Sequence, residues 1–163
     1  MEGERKETSR TMALGALVAA AVAVATMIHI PVPGFRLYFN FGEGVLYVAA
    51  LTFGARYGAA GGLGAALADL LLGYPLWAPL TLVIKGAEGY VVGRLAARGR
   101  IVALLAGAAI MIVGYTTAAG FLYGWKAAPV ELATDLVQTG MGGAFALFFA
   151  PLLRRRLLLP ETK

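Results

Sequence analysis

IVALLAGAAIMIVGYTTAAGFLYGW, residues 101–125, runs twenty-five positions without a formal charge. At about 1.5 Å of rise per residue, some 20 apolar residues in a helix cross the roughly 30 Å hydrocarbon core of a bilayer. Two further stretches pass the same test, Thr11 to Phe35 and Leu136 to Leu153. The whole chain of 163 residues is 60% hydrophobic and only 14% charged, where a soluble domain carries roughly 25% charged residues. That composition excludes a disordered chain, a nucleic-acid-binding domain and an ordinary soluble enzyme. With no cysteine, disulfides, thiolate metal sites and cysteine nucleophiles are excluded too.

Between Phe35 and Ile101 the chain stays apolar but is interrupted at Glu43, Arg56, Asp69, the Gly73-Tyr74-Pro75 turn, Lys85 and Glu88. These breaks divide it into three shorter helices. The whole chain then reads as one all-α membrane domain, residues 1–163, a polytopic bundle of six transmembrane helices at about 9–30, 43–56, 58–73, 77–97, 101–123 and 131–155. The second helix is short, and five spans plus a re-entrant piece is the alternative. Thr11 to Ile30 is too long for a removable signal, and the following PVPG, residues 31–34, reads as a helix-ending turn.

The net charge of +5 is distributed by loop. Arg5, Lys6 and Arg10, then Arg56, then Arg94, Arg98 and Arg100, then Arg154, Arg155, Arg156 and Lys163 all fall on one side of a six-span topology. The other side holds Arg36 and Lys126. Eleven basic residues against two predict both termini in the cytoplasm, because cytoplasmic loops carry the Lys/Arg excess. Trp77, Trp125, Tyr38, Tyr74 and Tyr123 then fall near the outer boundary, where amphipathic rings settle.

The polar residues within the spans share one leaflet. His29, Asn40, Glu43, Asp69, Lys85, Glu88, Tyr115, Thr116, Thr117, Glu131, Asp135, Gln138 and Thr139 all lie toward the outer ends, while the cytoplasmic halves are nearly all apolar. A charge at the bilayer centre costs at least about 2.5–3.5 kcal/mol on insertion scales, so such groups face a cavity or a partner. The pattern predicts a pocket open to the outside and closed below. Asp69 and Lys85 each lie eight residues from Trp77, which puts them at one depth and permits an ion pair that could simply lock the hairpin. Lys85 and Glu88 share a helix face at i,i+3. Glu43 reads equally as a helix cap and as a ligand contact. Glu131, following Pro129, reads as a solvated first-turn acid, and His29 as a boundary histidine. Asp135 and Gln138 read as pocket residues. Phe35, Tyr38 and Phe39 read as a stacking lid or as interfacial aromatics.

Small residues recur at four-residue spacing, which lets helices approach closely in lipid. The pairs are Ala16/Ala20, Ala19/Ala23 and Ala21/Ala25 in the first helix, Gly58/Gly62 and Gly61/Ala65 in the third, and Gly140/Ala144 and Gly142/Ala146 in the sixth. Those of the third and sixth suit internal packing. The first helix is small on more than one face and leaves a surface for a partner subunit. Nothing suggests catalysis: no Walker A sequence is present, GGLG at 61–64 sits in an apolar helix, and Ser9 is the sole serine.

Three stretches carry a family likeness: FNFGEGVLYVAALTFG at 39–54, GAALADLLLGYP at 64–75 and IKGAEG at 84–89. They resemble the S components of energy-coupling factor (ECF) transporters, most closely the branch for riboflavin, pyridoxine and hydroxymethylpyrimidine. The likeness covers about residues 10–155 in helix plan. It implies a membrane subunit, not an enzyme, that needs no cofactor or metal. Such a subunit binds a small planar vitamin or precursor near the outer face. It hands that ligand on with a transmembrane coupling subunit and two cytoplasmic ATPases. Carried to this chain, the substrate site would draw on Phe39, Asn40, Glu43, Asp69, Lys85, Glu88, Tyr115, Asp135, Gln138 and Thr139. The docking face would draw on Ala16, Ala20 and Ala23. Two other readings stay open from the residues alone, a solitary proton- or ion-coupled transporter and a membrane scaffold without ligand.

Overall fold

The computed structural model describes residues 2–31 and 38–158, with side chains described over 7–30 and 40–157. Six α-helices form: α1 (Glu2–Met27), α2 (Gly42–Phe53), α3 (Ala55–Leu71), α4 (Ala78–Leu95), α5 (Arg100–Tyr123) and α6 (Ala128–Leu158). Three of them, over Glu7–Met27, Arg100–Tyr123 and Ala128–Leu157, are long and apolar enough to cross a membrane. Large apolar side chains such as Val83, Phe121 and Phe148 point outward at 64–78% exposure, which suits contact with lipid and not with water.

Two details depart from the sequence reading. The first helix ends at Met27, short of residue 30, and the bundle is not purely helical. His29–Pro31 (β1) pairs antiparallel with Tyr38–Asn40 (β2), His29 opposite Asn40 and Pro31 opposite Tyr38. Pro31 lacks the N–H a helix would need, and the extended chain suits it. The break between α2 and α3 falls at Gly54, ahead of the expected residue 56. Gly54 has φ +96°, a conformation that glycine adopts at no steric cost.

At 12 residues, α2 spans only about 18 Å. It has little need to reach across lipid, because nine of its residues are buried. Packed against α1, α3, α4 and α6, it places Leu46, Tyr47 and Ala50 at the centre of the core. The α3–α4 contact is closer still. A Cβ on Gly58 would strike the Gly89 carbonyl, and one on Gly62 would strike the Gly86 backbone. Gly64 meets the backbone of Ala19 in α1 in the same way, and Ala146 of α6 is wholly buried. The small residues of α3, with Gly142 and Ala146 of α6, therefore serve internal packing, whereas Gly140 and Ala144 are exposed, which corrects the reading of that pair.

Helix directions alternate, so one end of the bundle gathers the ends of α1, α3 and α5 with the starts of α2, α4 and α6. Arg10, Arg56, Arg94, Arg98, Arg100 and Arg154 to Arg156 lie at the opposite end.

Candidate functional site

A cavity opens at the end away from the arginines. It encloses about 550 Å³ of space between atoms, open mouth included. All six helices contribute. Val22 and Thr26 come from α1, Glu43 and Leu46 from α2, and Ala65 and Asp69 from α3. Thr81 and Lys85 come from α4, Met111 and Tyr115 from α5, and Glu131, Asp135 and Gln138 from α6; Asn40 and Trp77 close the rim.

The floor is a buried charge cluster. Lys85 Nζ donates to a Glu43 carboxylate oxygen, lies 2.9 Å from Glu88 Oε2, and contacts Met111 Sδ at 2.9 Å. Glu88 is completely buried and accepts a hydrogen bond from Tyr47 Oη at 2.7 Å. The i,i+3 spacing on α4 supplies one of the ammonium's partners, and the first turn of α2 brings the other from 42 residues away. Glu43 is therefore an ion-pair partner, and the side chain of the N-cap residue Phe41 does not cap α2. Lys85 is also 5.6 Å from the centroid of the Tyr115 ring, within cation–π range.

One wall is aromatic. Tyr115 donates its hydroxyl hydrogen to Thr81 Oγ1 at 2.9 Å. Trp77 lies against it with ring centroids 5.6 Å apart and donates its indole N–H to Tyr123 Oη at 2.8 Å. Trp77 was expected at the lipid boundary, yet it is 5% exposed. A buried tryptophan needs an acceptor for its N–H, and Tyr123 supplies one inside the protein. Trp125, 64% exposed, remains outside.

Another part of the wall is acidic. Glu131, Asp135 and Gln138 follow one another at i, i+4 and i+7 on one face of α6. Glu131 is buried, which corrects its reading as a solvated acid. Removing a carboxylate from water costs several kcal/mol even after relaxation. A helix N-terminus returns only about 0.3–1 kcal/mol. Gln138 Oε1 accepts from Asn40 N at 3.0 Å and so ties the end of the hairpin to α6. Asn40 Oδ1 in turn accepts from Gly42 N at 2.8 Å, which sets the start of α2. Beyond this contact lies a second cavity of about 460 Å³, lined mostly by apolar side chains such as Val45 and Phe145.

The structure thus brings Asn40, Glu43, Asp69, Lys85, Tyr115, Asp135 and Gln138 to one cavity. Glu88 stands behind Lys85, outside the wall. Thr139 is buried, but its hydroxyl donates to the Asp135 carbonyl of its own helix at 2.8 Å and does not line the cavity. The Phe39 backbone pairs in β2, while its side chain and Phe35 lie outside the described residues. His29 bonds the Met27 carbonyl at 2.9 Å, away from the cavity. Sequence reasoning missed Thr26, Thr81, Met111, Trp77 and Glu131 as wall residues. Thr26 carried a signal, as the one hydroxyl in the run from Ala13 to Met27.

On α1 the small pairs separate by exposure. Ala19 and Ala25 are buried, Ala23 is half-buried and Ala21 is exposed. Ala16 and Ala20 are the pair with both members facing outward, on a face shared with Ala13, Leu17 and Val24.

A family model for the S component of ECF-type riboflavin transporters matches residues 6–155. An uncharacterized protein of Pyrococcus woesei is 40% identical over 144 residues, covering 84% of this chain and 97% of the relative. The thiamine precursor transporter HmpT of Lactococcus lactis subsp. cremoris (strain MG1363) is 28% identical over 159 residues, covering 96% and 94%.

Proposed function

Because this chain belongs to the family of ECF-type riboflavin transporter S components, we propose that its acidic, aromatic-walled cavity captures a small planar vitamin or vitamin precursor from outside the cell. It is a substrate-binding membrane subunit that works with an ECF module, and it is not an enzyme. The observation that carries the reading is the convergence of six helix ends on one cavity whose polar wall is buried within an apolar bundle. Such groups are costly in lipid and recur where a ligand must be held. The family description points to riboflavin, and the name of the Lactococcus relative to a thiamine precursor.

Trp77 supplies a built-in probe. In a Trp125→Phe background it is the remaining tryptophan. A planar ligand seated beside it quenches or shifts its emission. Titration with riboflavin and with 4-amino-5-hydroxymethyl-2-methylpyrimidine is expected to give a saturable change with one of them. Flat emission with both, from a folded protein, would count against the cavity as the capture site.

Six spans with both termini cytoplasmic complete the proposal, supported by the arginines gathered opposite the cavity. The chain has no cysteine, so single cysteines report topology cleanly. A membrane-impermeant maleimide is expected to label Leu76→Cys and Lys126→Cys in intact cells, and Arg98→Cys only after permeabilisation. The reverse pattern would invert the topology.

The proposed docking surface for the transmembrane coupling subunit is the outward face of α1 around Ala16 and Ala20, with Ala23 at its edge. Two cytoplasmic ATPases complete the proposed module. Close approach of a partner helix needs small side chains there.

A further inference from the structure

The vitamin-capture reading leaves the ligand's chemistry open, and the wall chemistry narrows it. Lys85 is the one cation among the described cavity residues, against four carboxyl groups in the wall, Glu43, Asp69, Glu131 and Asp135. An ammonium has three N–H donors. Those of Lys85 face Glu43, Glu88 and Met111 Sδ. Two buried carboxylates thus already balance its charge, which leaves little attraction for an anionic ligand.

The acids of α6 are placed differently. Glu131 is 6% and Asp135 2% exposed. Among the described residues, no hydrogen-bond donor reaches Glu131 Oε2 or Asp135 Oδ2. One turn apart on one helix face, they present two acceptor oxygens to the cavity. The same cavity is lined by the tilted rings of Trp77 and Tyr115, whose faces attract cations and flat heterocycles.

Resting on the capture reading, we propose that the cavity selects a flat nitrogen heterocycle bearing a cationic amino group. The ring lies against Trp77 and Tyr115, and the amino group donates to Glu131 and Asp135. A carboxylate on the same ring meets like charge from α6 and finds the ammonium of Lys85 already engaged.

The test uses the full chain in detergent or nanodiscs. Four probes are titrated: 4-amino-2-methylpyrimidine carrying aminomethyl, hydroxymethyl or carboxylate at position 5, and riboflavin. The aminomethyl probe is expected to bind about 10- to 100-fold tighter than the hydroxymethyl one, the range a charge-assisted hydrogen bond carries. The carboxylate is expected to bind weakest. Asp135→Asn keeps the side-chain shape and should weaken the aminomethyl probe by more than the hydroxymethyl one, erasing the preference between them. Circular dichroism checks that the helices persist. Equal affinity for the three substituents, tighter carboxylate binding, or a preference that survives both Asp135→Asn and Glu131→Gln would overturn the inference. Tighter binding of riboflavin would overturn it and leave vitamin capture standing. Failure of a folded chain to bind any of the four would remove both.

Discussion

Lys85→Met is expected to cost about 3–5 kcal/mol of stability, the usual penalty for removing one partner of a buried ion pair. The ammonium lies between two carboxylates, Glu43 at 2% exposure and Glu88 at 0%. Methionine nearly fills the same volume, so the loss comes from charge and not from a cavity. The triple variant Glu43→Gln, Lys85→Met, Glu88→Gln removes all three charges and should recover most of the stability, because neutral replacements of buried ion groups are often close to neutral overall. Thermal unfolding of the detergent-solubilised variants checks this. Equal stability of wild type and Lys85→Met would mean that the cluster is hydrated and not structural.

Ala20→Trp should leave ligand affinity within about 3-fold of wild type and abolish uptake in cells that hold the coupling subunit and ATPases. Ala20 and Ala16 point away from the bundle, so a large side chain there spares the core and would meet the partner of the proposed docking. Ala19→Trp is the opposite control. Ala19 is buried against the Gly64 turn of α3 with no room for an indole, so this variant should fail to fold. Normal uptake by Ala20→Trp would remove this face as the docking surface. Normal folding of Ala19→Trp would mean that α1 can rotate about its axis.

Much of this plan was readable from residues alone because lipid punishes misplaced polarity. The count of six helices, the crowding of polar groups at one end and the i,i+3 pairing of Lys85 with Glu88 all follow from spacing. What escaped depended on contacts distant in sequence. Two strands of three residues each carry too little periodicity to announce themselves, so the PVPG stretch read as a plain turn. The Asn40–Gln138 bond joins residues 98 positions apart. Trp77 was assigned to the lipid boundary by residue type, and only its bond to Tyr123 shows why it turned inward. Glu131 was legible and misread. Its place four residues before Asp135 and seven before Gln138 put it on their face of α6, and a rule about helix first turns took precedence over that register. Thr139, one position past Gln138, rotates about 100° off that face and bonds its own helix instead.

The central claim is that this cavity holds a ligand. Native mass spectrometry of the freshly purified protein tests it most directly. A bound small molecule of vitamin size is expected on the wild-type chain, and it should be depleted from the Glu131→Gln, Asp135→Asn double variant. A bare mass for the wild-type chain, unchanged after incubation with riboflavin and with the aminopyrimidine probes, would contradict the account.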